Sequence, residues 1–488
     1  MNYKVCISNP SEHFVKFQAT IQNESLGKLQ LQLPAWRPGR YELGNFAKNI
    51  RCFQANNREG EALAFSKITK DLWEIQSQGV KEVVVEYEYY ANQPDAGACY
   101  VNEELLYLNP VNCFFYVVGK MKDKFSVQLE VPKDWKIACQ LESKDQLLIA
   151  PDFDTLADSP FLVSANLHHH VFDFHASKIH FWFHGAAFAD MAKLEHDTRK
   201  YAEAQVKIFT EFPMTDYHFL YLILPDKFRH GVEHSDSTVI AMGPSSEINQ
   251  PAFYNDFLAI SSHELFHLWN IKRMRPAEML PYDFTKENYS QLGYVYEGIT
   301  TYYGDLMLFR SGVWTFEELA KSFSADFDRH FNNEGRWNYS VADSSFDTWL
   351  DGYVPGVKGR KVSIYMEGLI AALVADIQIL LATEGKFRLD EVLKRLYLET
   401  YKEGKGYSKA TYKHLLEEVA GLSFEGYFAD LIDGKGKWDE YINNSLNYIG
   451  LYIEKTINEA GLVTCRLRKM EHLNKEQAIL FDLWAKSL

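Results

Sequence analysis

The sequence predicts a multi-domain α+β protein, with an N-terminal β-sandwich-like domain followed by a mainly helical domain. The chain has 488 residues, 47% of them hydrophobic, which exceeds one ordinary core and suffices for two or three. Apolar residues alternate with polar ones in the first third of the chain. From about residue 190 the apolar spacing becomes helical. The order of these two patterns predicts the order of the two domains.

The N-terminal domain is predicted from short alternating segments separated by turn residues. Residues 29–34 (LQLQLP) and 125–132 (FSVQLEVP) alternate, and residues 83–91 (VVVEYEYYA) are rich in β-branched and aromatic side chains. PGR, NQPDAG and PKDW supply turn signals between such segments. We place the β domain at residues 1–170. The HHH run at 168–170 is interpreted as a surface strand or linker.

The following domain, residues 171–440, is predicted to be mainly helical, with a buried strand in HFLYLILP at 218–225. The last residues, 441–488, carry few clear signals. They are interpreted either as a remnant of a β-rich domain or as an element packed on the helical domain. The segments with helical periodicity are 189–212, 253–274, 289–310, 316–331, 363–383 and 388–402.

Charge and composition exclude several classes of function. A formal net charge of -15 disfavours nucleic acid or an anionic membrane surface as the main partner. The sequence has neither a signal-like N-terminus nor an 18-residue apolar run, so no membrane-spanning helix is expected. The six cysteines include no C-x-x-C pair, which suits reduced thiols. We therefore expect a cytoplasmic protein; its oligomeric state is left open.

The strongest chemical signal is SSHELFHLWNIKRMRP at residues 261–276. On a helix, His263 and His267 lie four residues apart on one face and can direct both imidazoles at one point. Imidazole nitrogens are good Zn²⁺ ligands, and Glu264 is placed to reach a water at the metal. The alternative is an amphipathic helix with two hydrogen-bonded histidines.

A catalytic zinc needs a third protein ligand and one open position. The next helical segment, YVYEGITTYYGDLMLF at residues 294–309, carries Glu297 among apolar residues. A carboxylate in such surroundings is the expected third ligand, giving one Zn²⁺ per chain. The alternative is an ordinary solvated acid on the polar face of a helix.

These motifs resemble those of the glycyl aminopeptidase family, zinc metallopeptidases with a thermolysin-like catalytic domain. HELFHLWNIKRMRP and EGITTYY are similar to the family's two metal-binding stretches. The resemblance continues in residues 33–50, 231–238, 344–349 and 364–379, in a consistent order from about 30 to 440. It implies His263, His267 and Glu297 as zinc ligands, with Glu264 as general base.

The resemblance also implies two further site residues. Glu233, in the GVEH stretch, is the expected carboxylate anchor for the free α-amino group of a substrate. Tyr365 is the expected donor to the oxyanion of the reaction. Its neighbourhood departs from the family pattern, because Ile364 and Glu367 stand where the family has a tyrosine and a lysine. Thr301 stands where thermolysin-like sites often have an acid that orients a histidine, so that support must come from elsewhere.

The function predicted from residues and resemblance is a zinc-dependent aminopeptidase acting on peptides with a free N-terminus. A preference for N-terminal Gly or Ala is implied by the resemblance. Two alternatives stay open, a catalytically silent peptide-binding scaffold and a zinc endopeptidase or other hydrolase on the same fold. Family members commonly carry a C-terminal PDZ domain, for which residues 441–488 are too few.

Overall fold

The structure is a computed structural model that describes residues 1–24, 27–354 and 356–486. The chain forms two compact units, each assembled from several segments. The β unit comprises Met1–Ala189, Met214–Tyr254 and Asp283–Glu287, and the helical unit comprises Asp190–Pro213, Asn255–Tyr282 and Asn288–Leu488. A β-rich region thus precedes a helical one, which confirms the fold class predicted from the sequence.

The β unit is made of short strands connected mainly by turns. Its strands are β1 (Asn2–Asn9), β2 (Phe14–Gln22), β3 (Leu29–Gln32), β4 (Ile50–Asn57), β5 (Phe65–Lys67), β6 (Leu72–Ile75), β7 (Glu82–Tyr90), β8 (Tyr100–Val101), β9 (Leu106–Leu108), β10 (Tyr116–Val117), β11 (Phe125–Glu130), β12 (Lys136–Cys139), β13 (Ser143–Lys144), β14 (Leu147–Ala150), β15 (Phe161–Ser164), β16 (His168–Phe174), β17 (Ser177–His184), β18 (Asp216–Ile223), β19 (Phe228–Glu233) and β20 (Ser237–Gly243). Two short helices, α1 (Pro110–Cys113) and α2 (Phe153–Ala157), lie between them.

These strands form four sheets. The largest has the order β13-β14-β11-β1-β2-β7-β4, and two four-stranded sheets have the orders β10-β3-β6-β5 and β12-β15-β9-β8. Strands β2 and β7 pair antiparallel and bury every second side chain, as their alternating sequences predict. The strands predicted around residues 29–34, 83–91 and 125–132 are confirmed as β3, β7 and β11.

A five-stranded sheet of order β16-β17-β18-β20-β19 completes the β unit. Its central strand, β18, runs parallel to both neighbours and is buried almost throughout, as expected of a strand covered on both faces. This confirms the strand predicted in 218–225. The HHH run forms the start of β16, in agreement with the surface-strand interpretation.

The helical unit contains most of the helices and one hairpin. They are α3 (Met191–Phe209), α4 (Pro251–Phe266), α5 (Ile299–Arg310), α6 (Phe316–Phe331), α7 (Val341–Phe346), α8 (Thr348–Asp351), α9 (Met366–Ala382), α10 (Leu389–Glu399), α11 (Lys409–Ala420), α12 (Glu425–Tyr427), α13 (Trp438–Tyr448), β21 (Leu451–Ile457), β22 (Val463–Lys469) and α14 (Lys475–Ala485). Helix α9 is apolar on nearly all sides, and most of its side chains are buried. A π-helical turn, Tyr294–Gly298, directly precedes α5.

Two of the predicted helices differ from the observed ones at the metal-binding motifs. Periodicity predicted one helix over 253–274, but α4 ends at Phe266, after which the Leu268 and Trp269 amides bond carbonyls three residues back, and the backbone leaves the helical region at Ile271, with φ 112°. The segment predicted at 289–310 becomes helical only at Tyr294, and it does so through the π-turn. By contrast, α6 has the predicted ends, 316 and 331.

The C-terminal helix α14 is fixed to the helical unit by buried polar groups. The Arg310 guanidinium bonds Asp376 and Asp390 and donates from Nε to the Trp484 carbonyl at 2.8 Å. The Trp484 indole donates to the Tyr302 hydroxyl at 2.8 Å. Burial alone would lower the pKa of Arg310, but the two carboxylates raise it above its ordinary value. The segment after residue 440 is thus an integral part of this unit.

Two expectations about chain chemistry can be compared with the structure. All six cysteines are free thiols, in agreement with the sequence. Among the described residues, no helix combines the length and apolar character needed to cross a bilayer.

The β unit should lose stability in acid because it buries a neutral histidine. His218 accepts a hydrogen bond from the Trp182 indole at 3.2 Å and stacks on His180, and burial lowers its pKa to about 3. Since the unfolded chain binds a proton near pH 6.5 and the folded chain does not, stability is full above that pH and falls towards pH 3. The loss should reach about 2 kcal/mol by pH 5, at roughly 1.4 kcal/mol per pH unit.

Urea unfolding followed by tryptophan fluorescence at pH 7 and pH 5 measures this loss. His218→Asn should reduce the difference between the two pH values, because it removes the titrating ring. His175→Asn is the matched control, since His175 is exposed in a turn of the same sheet at φ 52°, which asparagine tolerates. Equal pH dependence in the two variants would contradict the assignment to His218.

Candidate metal centre

The first two candidate ligands come from the end of α4. His263 lies in its last turn, and His267 follows it, with its amide donating to the His263 carbonyl at 3.3 Å, so the helical spacing persists for one residue. Leu265, Phe266 and Trp269 are almost completely buried around them. The apolar side of this segment therefore holds the two imidazoles in place, as its sequence pattern predicts.

The third candidate ligand, Glu297, lies in the π-turn Tyr294–Gly298 and is 5% exposed. A π-turn shifts the side chains that follow it relative to a regular helix, and such turns are frequent at functional sites. Sequence periodicity did not predict this turn, because a single inserted residue leaves the apolar pattern nearly unchanged. The π-turn determines which side chain of this segment faces His263 and His267.

The three side chains converge. The Nε2 atoms of His263 and His267 are 3.0 Å apart, and Glu297 Oε2 lies 3.9 Å from the first and 3.4 Å from the second. Ligands at tetrahedral zinc, with bonds of about 2.0–2.2 Å, are separated by about 3.3–3.6 Å. The donor set therefore fits a zinc ion with small adjustments. The His263 side chain is 20% exposed, against 3% for His267 and 6% for Glu297, so the site is accessible on its side.

The tautomer of His267 also suits a metal ligand. Its Nδ1 lies 2.9 Å from the Asn270 carbonyl oxygen, which can only accept, so Nδ1 carries the proton. The Nε2 lone pair is then directed at Glu297 and His263. Fixing a ligand histidine through its second nitrogen is typical of zinc sites.

Glu264 is 6% exposed, and a carboxylate oxygen lies within 4.8 Å of a ring nitrogen of His267. It is thus beside the ligand cluster without belonging to the triplet His263, His267 and Glu297. This position suits a base acting on a water at the centre.

Close backbone packing brings α4, which carries His263, against α5, which continues from the π-turn that carries Glu297. A methyl group on Gly304 in α5 would lie 3.1 Å from the His263 Cα atom, so α5 approaches α4 closely at that ligand. The Ser262 hydroxyl donates to the Gly304 carbonyl at 2.6 Å at the same crossing. Phe266 stacks on Tyr303 one turn further, with centroids 5.1 Å apart.

A second glycine contact lies directly after Glu297. A methyl group on Gly368, in the first turn of α9, would lie 2.5 Å from the Gly298 Cα atom. Tyr365 immediately precedes α9, and its carbonyl accepts from Leu369 N at 2.9 Å. The structure thus places the backbone around Tyr365 against the neighbour of Glu297.

Glu233 belongs to the β unit, at the end of β19, and is 7% exposed. Its carboxylate lies against Gly39, which has φ 75°, and a methyl group there would be 2.6 Å from Oε2. His230 on the same strand is neutral at pH 7, because burial and the charge of Arg37 lower its pKa to about 4. Glu233 is a buried carboxylate that lies against the loop WRPGR, and this loop provides the glycine that such a close contact requires.

The sequence did not indicate the residues that support the ligands. Thr301 donates its hydroxyl to the Glu297 carbonyl at 2.8 Å, so it does not replace the expected acid. The support for His267 comes from Asn270, with the Thr300 hydroxyl 3.5 Å from Nδ1. The only sequence signal was the asparagine three residues after the second histidine.

The fold is similar to those of solved structures from one class of protein, the peptidases. An aminopeptidase N family protein from Idiomarina loihiensis matches with a TM-score of 0.89 and 26% identity, over 97% of this chain and 82% of that chain. An M1 zinc metallopeptidase mutant from Deinococcus radiodurans, bound to a Tyr-Ser-Ala substrate, matches with a TM-score of 0.55 and 14% identity, over 89% and 93%. The second likeness shows the fold alone. No curated protein matches the chain.

The sequence identifies the family within that class. Residues 2–165 match the Peptidase M61 N-terminal domain, and residues 256–371 match the M61 glycyl aminopeptidase domain. Together the two matches cover more than half of the chain, which belongs to the M61 glycyl aminopeptidase family. The resemblance predicted from the motifs is confirmed.

The glycine contact beside Glu297 gives a prediction for stability. Gly368→Ala should destabilise the helical unit by about 1–3 kcal/mol, because the added methyl group meets backbone and not a movable side chain. Thermal unfolding measures the change. Gly426→Ala in α12 is the control, since its methyl group would find only the Tyr441 hydroxyl, at 3.6 Å. Equal melting temperatures for both variants would show that the contact at Gly298 is looser than described.

Proposed function

We propose that the protein is a zinc-dependent aminopeptidase that hydrolyses N-terminal residues from peptides. The observation that carries the proposal is the convergence of His263, His267 and Glu297 at distances suited to one tetrahedral ion, with Glu264 beside them. Membership of a peptidase family supports it independently. One Zn²⁺ per chain is proposed, because this triplet supplies the donors for a single ion.

The three ligands would hold the zinc ion through Nε2 of each histidine and a carboxylate oxygen. A zinc ion bound there supplies Lewis-acid chemistry, polarising a carbonyl and lowering the pKa of a bound water. Two imidazoles and one carboxylate leave a net positive centre, which suits the development of negative charge on a substrate oxygen. The partial exposure of His263 provides the side from which substrate and water can enter.

Glu264 acts as the general base in this proposal. Its carboxylate takes a proton from the attacking water and returns it to the nitrogen of the leaving amine, so the residue ends the cycle unchanged. Its burial supports this role, because a carboxylate shielded from solvent exchanges its proton with the reacting groups. Tyr365 is proposed to donate a hydrogen bond to the oxyanion, supported by its position beside the Gly298 contact.

Glu233 is proposed to bind the free α-amino group of the substrate. A buried carboxylate forms a strong charge-assisted hydrogen bond with an ammonium group, and its contact with Gly39 restricts the side chain. An anchor of this kind limits cleavage to the first residue. The preference for Gly or Ala, implied by the family, and the cytoplasmic location expected from the sequence stay predictions.

Glu264→Gln should strongly reduce hydrolysis of Gly- and Ala-anilides while leaving zinc bound. We expect kcat to fall by about 10³-fold, within the range for loss of a general base, because glutamine cannot accept the water's proton. Steady-state kinetics and metal analysis on the same samples measure the rate of hydrolysis and the zinc content. Glu317→Gln, on the exposed face of α6, is the matched control and should behave as wild type. Zinc bound to a variant with undiminished activity would rule out Glu264 as the base.

Glu233→Gln should weaken the discrimination between free and blocked N-termini. Loss of one charge-assisted hydrogen bond should lower kcat/KM for Gly-anilide by about 10- to 100-fold. N-acetyl-Gly-anilide, which has no ammonium group, should be a poor substrate for both proteins. If wild type cleaved both substrates equally, the protein would be an endopeptidase or another hydrolase. Zinc and peptide binding without any hydrolysis would instead favour a scaffold.

A further inference from the structure

Two candidate zinc ligands come from different elements, and one buried side chain connects those elements. His267 lies in the turn after α4, and Glu297 lies in the π-turn before α5. Helix geometry relates His267 to His263, but it places no constraint on Glu297. Asn270, which is 0% exposed, bonds both segments.

The main chain of Asn270 acts on the histidine. Its carbonyl oxygen accepts a hydrogen bond from His267 Nδ1 at 2.9 Å and so sets both the tautomer and the ring orientation. The peptide plane that carries this oxygen is oriented partly by φ of the next residue. Ile271 has φ 112°, a conformation that a β-branched residue adopts only when its surroundings enforce it. The strained residue is therefore the one that directs the carbonyl back to His267.

The side chain of Asn270 acts on the π-turn. Its Nδ2 donates to the Val295 carbonyl at 2.9 Å and to the Thr300 hydroxyl at 3.0 Å. The Thr300 hydroxyl in turn donates to the Tyr296 carbonyl at 2.7 Å. These acceptors lie on both sides of Glu297 in sequence. The amide of Asn270 thus fixes the backbone turn from which the Glu297 carboxylate projects.

We propose that Asn270 is the positioning residue that holds His267 and Glu297 in register for one metal ion. It does so without a charge: a main-chain carbonyl supports the histidine, and an amide clamps the turn that carries the carboxylate. This inference rests on the proposed zinc site. It accounts for the role that Thr301 does not fill, and it gives a reason for the strain at Ile271.

Zinc affinity of Asn270→Ala tests the proposal without reference to activity. Alanine keeps the carbonyl that supports His267 but loses the bonds to Val295 and Thr300, so the turn that carries Glu297 should lose its fixed position relative to His267. We expect zinc to bind about 10- to 100-fold more weakly, the usual cost of losing support for a ligand. Competition with a chromophoric chelator at fixed pH measures the dissociation constant. In the Co²⁺-loaded protein, the visible absorption bands should shift as the ligand geometry changes.

The control is Asn255→Ala in the same helix as His263. Asn255 donates to Glu318 at 2.9 Å, so this variant also removes a hydrogen bond from an asparagine of α4 but leaves the ligands untouched. It should lower the melting temperature of the metal-free protein without changing zinc affinity. In Asn270→Ala, the loss of zinc affinity should be larger than the loss that reduced stability of the metal-free protein alone would cause.

Thr300→Val serves if Asn270→Ala does not fold. It removes one acceptor of the Asn270 amide and the donor to the Tyr296 carbonyl while preserving side-chain volume, and we expect zinc to bind at least about two- to tenfold more weakly, the value of a hydrogen bond. Wild-type zinc affinity in a folded Asn270→Ala, or in Thr300→Val when only that variant folds, would overturn the role of Asn270. A wild-type protein that binds no zinc would instead overturn the proposed function itself.

Discussion

The helical unit depends on one constraint: donors from two separate backbone segments must meet within 4.8 Å in an apolar interior. Packed helices usually have axes about 8–10 Å apart, and a closer approach of the backbones brings the side chains of the two segments nearer to one point. Gly304 and Gly298 permit that approach at His263 and beside Glu297. At Gly304, the Ser262 hydroxyl donates a hydrogen bond to the glycine carbonyl. The glycines therefore allow the close contact, and hydrogen bonding determines how the segments are aligned.

Desolvation makes this arrangement costly without compensating bonds. Buried polar atoms destabilise the fold unless they have partners, and Glu297 and His267 are both almost fully buried. The Asn270 carbonyl reduces that cost for the histidine by accepting a hydrogen bond from Nδ1, while the strain at Ile271 is a local penalty of roughly 1–3 kcal/mol. The centre is therefore held by the surrounding fold in a geometry that the local backbone alone would not adopt.

The sequence predicted what depends on residue type and period, and failed where one residue changes the geometry. The order of β and helical regions, the strands around 83–91 and 218–225, and helix α6 followed from periodicity. The ligand candidates followed from HExxH spacing and one buried acid. The early end of α4 and the π-turn did not follow, because the apolar pattern continues through both. The role of Asn270 was not predicted either, since it depends on a chain reversal that periodicity cannot express.

The paired tyrosines that follow Glu297 in the same motif have a structural role. Tyr302 and Tyr303 donate to Asp376 and Asp390, the two carboxylates that neutralise buried Arg310. Arg310 closes α5 and bonds the carbonyl of Trp484, so the helix that continues from the π-turn is anchored at its far end by the C-terminal helix. Loss of any member of such a charged network would destabilise the fold, because the remaining charges would stay buried. The position of Glu297 therefore depends on packing that extends to the last helix of the chain.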